Sequence, residues 1–273
     1  MTGLLLSTRV PAPMVTRLVD TGPILVKSEA AQWTGSAKYR MVYSKVMAAV
    51  RSRRITEGTT LAEVTSGSTG IALAHVGHLL GLPIELHAYE SIPPRKRERI
   101  GEIGARLVLH PDSTPLPALL GRVREKAATG DYWHLDQYDR ASTVASYQDF
   151  ARELVGQLRD RKEPPPQTFL CPVGTGGLIQ SLGTALRQAF PGLRVIALEP
   201  EEGASIDGIR NTALSHLGPA DPYDIGFPDE VIRVPNPRGS IWAAGVAFGL
   251  SATAAYLLAV AKGWTRTVVL APD

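Results

Sequence analysis

The chain has one cysteine in 273 residues, Cys171. No internal disulfide can form from it, and no cysteine-based metal site, a usage that suits a reducing cytoplasm. An excess of charge is also missing: 29 Lys and Arg stand against 26 Asp and Glu, for a net +3. The densest basic run, RKRER at 95–99, carries its own glutamate and follows Pro93 and Pro94. It reads as solvated helical turns, so no nucleic-acid partner is expected. Long apolar runs are absent too: none reaches the roughly 18 residues of a membrane-spanning helix. The short apolar start gives way to Arg9 and Pro11, which reads as neither a secretory leader nor a span, and no membrane partner is expected. His75 and His78 lie three apart on one helix without a third ligand, so no metal is expected. Both common nucleotide signatures, G-x-x-x-x-G-K-[ST] and G-x-G-x-x-G, are missing.

What is present is an ordinary enzyme-like composition, 44% hydrophobic and 20% charged, with ample material for a core. Short apolar segments alternate with helical ones. Strands are expected at 23–28, 60–64, 84–89, 106–110, 132–135, 168–173, 194–200, 229–234 and 266–272. Helices are expected at 36–53, from 70 to 80, at 94–103, near 114–128, at 143–160, at 177–189 and near 240–262. Strands that are apolar throughout and separated by helices predict an α/β fold with parallel sheets covered on both faces. Ligands in such sheets gather at the carboxyl ends of strands, where loops feed helix N-termini.

Three glycine-bearing turns occupy such positions: TGSAK at 34–38, TSGSTG at 65–70 and GTGG at 174–177. One turn of this kind is merely a helix cap, whereas three point to anion binding through backbone N–H groups and hydroxyls. GTGG suits a single phosphate, and the hydroxyl-rich TSGST suits a carboxylate. Lys38 has a role that neither anion requires. The dipole at a helix N-terminus opposes its charge, which lowers the amine's proton affinity and favours a nucleophilic form. A phosphate cradle, a carboxylate loop and an activated lysine describe a pyridoxal 5'-phosphate site that handles an amino acid.

These motifs, with DQY at 136–138 and GLSATAA at 249–255, resemble in order and spacing those of the cysteine synthase and cystathionine beta-synthase family, the fold type II pyridoxal phosphate enzymes. The resemblance runs from about residue 12 onward. It implies two doubly wound parallel-sheet domains of tryptophan synthase beta-like architecture. Residues 1–39 with 146–273 would form the larger, cofactor-binding domain, and 40–145 a smaller, mobile domain for the substrate carboxylate. Lys38 matches the lysine that joins the cofactor and moves the alpha proton. Gly174, Thr175, Gly176 and Gly177 match the phosphate loop, and Ser251 the hydroxyl at the pyridine nitrogen. Thr65, Ser66, Gly67 and Thr69 match the carboxylate loop, with Gln137 reaching the same group. Ser68 stands beside the cofactor's phenolic oxygen, where the family usually has asparagine. The SGST version of the loop also resembles the bacterial cysteine desulfhydrase-type branch. The implied activity is beta-elimination or beta-replacement on cysteine or an O-activated serine through an aminoacrylate, in a homodimeric cytoplasmic enzyme. A serine or threonine dehydratase and a non-catalytic amino-acid- or partner-binding relative are the alternatives. The motifs do not choose the leaving group or the second substrate.

Overall fold

The computed structural model describes residues 10–273 apart from 216, 218–220, 222 and 244–245. Contacts divide the chain into two compact units, one of residues up to 13 with 38–137, the other of 14–37 with 138–273.

The first unit is built on four parallel strands: β3 (Thr60–Val64), β4 (Ile84–Tyr89), β5 (Arg106–His110) and β6 (Tyr132–His134), in the order β5-β4-β3-β6. The two central strands are almost wholly buried, which is why they lack the polar alternation of a half-exposed sheet. Helices α1 (Lys38–Arg51), α2 (Ser68–Leu80), α3 (Pro94–Glu102) and α4 (Leu116–Ala128) connect and cover them. Ile84 and Leu86 of β4 reach Gly77 and Gly70 of α2, so alternate residues of that strand face α2.

The second unit carries six strands in the order β1-β2-β12-β7-β8-β9. These are β1 (Leu18–Asp20), β2 (Ile24–Ser28), β7 (Thr168–Pro172), β8 (Arg194–Pro200), β9 (Glu230–Val234) and β12 (Thr267–Ala271). All neighbours are parallel except β1, which runs antiparallel to β2 and amends the wholly parallel expectation at that edge. The unit also holds helices α5 (Arg140–Ser146), α6 (Gln148–Arg159), α7 (Gly177–Ala189), α8 (Thr212–Ser215) and α9 (Leu250–Ala261). Val26, Leu170, Ile196, Leu198, Val269 and Ala255 form the centre of its core. Beside that core lies a buried charge. Lys27 is fully buried, and its Nζ pairs with Glu153 while donating to Gln157 Oε1 and the Thr16 carbonyl, each at 2.8 Å.

Three expectations are corrected. The helix expected over 143–160 is two helices broken at Tyr147, whose φ −101, ψ 6 is not helical and whose ring is buried. The helix expected near 240–262 begins only at Leu250, and before it two short strands, β10 (Trp242–Ala243) and β11 (Val246–Ala247), pair antiparallel. That helix is not buried all round, since Leu250, Leu257 and Val260 are 38, 45 and 53% exposed. The unit boundary falls at 137/138 and not at 145/146, because α5 packs on α7, with Thr143 against Gly177.

Candidate active site

In the first unit, the chain leaving β3 forms the TSGST loop and enters α2. Thr65 is buried and organises the loop: its Oγ1 accepts from the N–H of Gly67 at 2.9 Å and of Gly70 at 3.0 Å. Its own N–H donates to the His87 carbonyl at 2.8 Å, which ties the loop to β4. No side chain caps α2. Among the described residues, the N–H groups of Ser66, Ser68 and Thr69 have no partner, and they lie at the positive end of the helix dipole. Three free N–H donors in a hydroxyl-bearing turn form an anion cradle of carboxylate size.

Gln137 is a brace in this loop. Its Oε1 accepts from Thr69 Oγ1 at 2.7 Å, its Nε2 donates to the Val64 carbonyl at 2.8 Å, and its backbone N–H donates to Glu63 Oε2 at 3.1 Å. Glu63 is fully buried under the loop. The turn that delivers Gln137 has Asp136 at φ +48, and the buried Lys45 donates to the Leu135 and Asp136 carbonyls. Neither Glu63 nor Lys45 was singled out in the sequence. For Glu63 the signal was a lone charge within an otherwise apolar strand, which is unusual unless the charge is partnered; Lys45 shares its helix with Lys38, Arg40 and Arg51 and had no such signal.

Lys38 is the first residue of α1, half-buried, in a first turn without an acidic side chain. The neighbouring Tyr39 is a core residue. It is fully buried, its hydroxyl donates to the Pro11 carbonyl at 2.6 Å, and burial, followed by Tyr43, pushes its ionisation well above the usual tyrosine range.

In the second unit, the GTGG turn leaves β7 and opens α7. Gly176 is left-handed, at φ +86, and a Cβ there would lie 2.5 Å from the Tyr223 Cβ. Gly174 and Gly177 are equally tight, the former against the Gly208 carbonyl and the latter against Thr143. No side chain caps α7, and the four N–H groups of 174–177 have no partner among the described residues. Tyr223, the wall of this turn, is 1% exposed, and burial pushes its hydroxyl far above the usual range. The turn is held from outside by Arg210, whose Nε donates to the Gly174 carbonyl at 2.8 Å and whose guanidinium pairs with the buried Asp221 at 2.6 Å. Ser251, in the first turn of α9, is 1% exposed and donates to Asp273 Oδ1 at 3.3 Å. Asp273 also accepts the Gly249 N–H through its backbone oxygen. Tyr223, Arg210 and Asp273 are far in sequence from the glycines they serve, and no local motif marks them. Cys171 is buried inside β7.

The family model described as "Pyridoxal-phosphate dependent enzyme" matches residues 6–233. The chain belongs to the pyridoxal-phosphate dependent enzymes of the cysteine synthase family. It is 32% identical over 231 residues to a cysteine synthase of Aquifex aeolicus, spanning 82% of this chain and 68% of that one. To a cysteine synthase of Staphylococcus aureus it is 28% identical over 72% of this chain, and the match spans 64% of that enzyme's length, just under two thirds. To an L-cysteine desulfhydrase of Mycobacterium tuberculosis it is 29% identical over 66% of this chain and 49% of the relative. The fold is shared with solved family members. An O-ureido-L-serine synthase superposes with TM-score 0.76 at 22% identity, covering 98% of this chain and 90% of that one. A hydrogen sulfide-producing enzyme of Fusobacterium nucleatum gives 0.80 at 20% identity, covering 100% and 97%. This pyridoxal-phosphate dependent enzyme thus has the fold type II architecture. Each unit by itself carries groups of the kind the cofactor needs: in the second, free backbone N–H groups at the start of α7 suit a phosphate, and in the first, an amine at the start of α1 suits an aldehyde.

Proposed function

We propose that the protein catalyses beta-elimination or beta-replacement on cysteine or an O-activated serine, with pyridoxal 5'-phosphate bound to Lys38. The observation that carries this reading is the 174–177 turn, where close-packed glycines leave four N–H groups at a helix start for a phosphate. When bound, the cofactor supplies an electron sink for the alpha carbon of an amino acid. Lys38 takes the alpha proton, because an amine at a helix N-terminus is disfavoured in its charged form and acts as a base. The N–H groups of Ser66, Ser68 and Thr69, with the loop hydroxyls, bind the substrate carboxylate and fix the alpha carbon's orientation. Gln137 holds the Thr69 hydroxyl in place through its 2.7 Å bond. Ser68 serves the cofactor's phenolic oxygen. Ser251, whose hydroxyl has only a long 3.3 Å bond to Asp273 Oδ1 to give up, would turn its proton to the pyridine nitrogen.

The cysteine desulfhydrase and hydrogen sulfide-producing relatives support net elimination, and the cysteine synthases support replacement. We place the protein in the cytoplasm as a homodimer. Its single cysteine is buried, and no helix among the described residues is long and apolar enough to cross a membrane. The exposed Leu250, Leu257 and Val260 on one face of α9 supply an apolar surface for a second copy. The test is to load the purified protein with pyridoxal phosphate and supply O-acetylserine, O-phosphoserine, cysteine and serine in turn, with and without sulfide. Product formation and a visible absorbance band, both lost in Lys38→Ala, are expected. Full turnover by Lys38→Ala refutes the assignment of the base. 2-Oxo acid formation from serine alone, with no sulfide dependence, selects a dehydratase instead.

A further inference from the structure

The face of the four-stranded sheet turned away from α2 holds ionisable groups that the proposed chemistry does not use. Ile84 and Leu86 point to α2, so Glu85 and His87 of the same strand point to the other side. A cleft of about 250 Å³ lies there, floored by β4 and β5 and roofed by α4. Its polar lining is Glu85, His87, Arg106, His110, Arg122 and Lys126, with aliphatic side chains of β5 and α4 between them.

Glu85 is already engaged. It pairs with Arg106 at 3.0 Å and lies 3.9 Å from Lys126, and it accepts the Tyr132 hydroxyl. Three cations against one carboxylate leave the cleft an excess of two positive charges while its imidazoles are neutral. Arg122 makes no hydrogen bond or ion pair among the described residues. His87 is 7% exposed, and its Nε2 is buried without a hydrogen-bond partner. Its Nδ1 lies 3.0 Å from His110 Nε2, with the two rings stacked. The consistent tautomer has His110 Nε2–H donating to His87 Nδ1. His87 Nε2 then carries a hydrogen toward Glu85 Oε1, 3.2 Å away but out of line; the reverse tautomer would set two lone pairs face to face. The cleft thus combines an unpaired guanidinium, a buried imidazole with a misdirected N–H stacked on a half-buried one, and a surplus of positive charge. Groups of this kind bind tetrahedral oxyanions.

We infer that this cleft binds a small dianionic oxyanion, a sulfate or phosphate group either free or on a small organic ester, between Arg122 and the His87–His110 pair. The volume suits such an ion with a short organic body and falls below the range of larger cofactor sites, ~300–1,000 Å³. The inference does not depend on the proposed chemistry, since none of these side chains belongs to it.

The histidines supply the readout. Burial, then Arg122, holds His110 below the usual imidazole range; burial, against the opposing pull of Glu85, does the same for His87. The charged and titratable groups around the pair are Glu85 on β4, Arg106 on β5, Arg122 and Lys126 on α4, and Tyr132 on β6. An anion beside Arg122 offsets its charge, so His110 must titrate at higher pH when the cleft is filled. The experiment is side-chain NMR of the histidines in the holoenzyme, assigned with His87→Gln and His110→Gln. Sodium sulfate, inorganic phosphate and glycerol phosphate are titrated in turn, against sodium chloride at matched ionic strength. Saturable shifts of both resonances and a rise in the His110 pKa are expected with the dianions and not with chloride. Tighter binding of glycerol phosphate than of inorganic phosphate identifies an ester as the ligand, and equal binding identifies the free ion. In Arg122→Gln, an exposed position where the fold is not at stake, His110 should titrate higher from the outset and dianion affinity should fall at least tenfold. A response no larger than chloride's, a response that never saturates, or an undiminished one in Arg122→Gln overturns the inference.

Discussion

Replacing Gly176 by alanine tests whether the 174–177 turn needs glycine for its backbone, for its packing, or for both. A residue with a Cβ at φ +86 suffers left-handed strain of ~1–2 kcal/mol. The new methyl group also lies 2.5 Å from Tyr223 Cβ, 2.7 Å from its Cδ2 and 2.9 Å from its Cα. The ring can rotate, but the Cα cannot, so the backbone carrying Tyr223 must move. Overpacking of this kind adds ~1–3 kcal/mol. Gly192 is the internal control: it has the same φ, +86, with nothing within 4 Å of its added Cβ, so only the strain applies. Thermal unfolding of the two alanine variants should therefore separate them by about 1–3 kcal/mol, or roughly 2–12 °C at ~2–4 °C per kcal/mol for a domain of this size. Gly176→Ala should also bind pyridoxal phosphate more weakly, whereas Gly192→Ala should bind it as the parent does. Melting temperatures that agree within about 1 °C would refute the packing argument. Unchanged cofactor affinity in Gly176→Ala would remove the turn from the phosphate site.

Thr65→Val strips the Gly67 and Gly70 N–H groups of their shared acceptor; chemical denaturation should show a loss of about 2–4 kcal/mol, and KM for the amino acid should rise more than kcat falls. Lys27→Met leaves Glu153 beside a fully buried apolar side chain and should cost ~3–5 kcal/mol in urea unfolding, while adding Glu153→Leu should recover most of it; additive losses in the double variant would show that the pair is not coupled. Asp221 carries an acid-stability signature. Burial raises its carboxyl, but the Arg210 guanidinium and the N–H groups of Leu217 and Tyr223 more than reverse this and hold it below 3.8. Its folded pKa is depressed, so its stabilising contribution is complete above the unfolded value and is lost as pH falls through the folded one. Stability measured against pH should accordingly fall less steeply for Asp221→Asn than for the parent below about pH 4; parallel acid limbs would contradict the assignment.

Some of this protein could be read residue by residue along the chain. β3, β4 and β5 have the limits expected of them, 60–64, 84–89 and 106–110, because apolar runs bounded by turn residues report burial locally. The glycine turns at 65–70 and 174–177 were legible for the same reason: they lie where a strand run ends and a helical one starts. The tertiary structure alone decided how those turns are held. Tyr223 closes on Gly176, Asp273 accepts from Ser251, and Gln137 bridges Thr69 to Val64, each across a separation that no local pattern encodes. It also decided that Lys27, Lys45 and Glu63 are interior charges, whereas a chain of side chains shows only their polarity. Periodicity records which residues avoid water; which partner satisfies a buried polar group depends on elements brought together by folding, and that information is not carried by any short stretch.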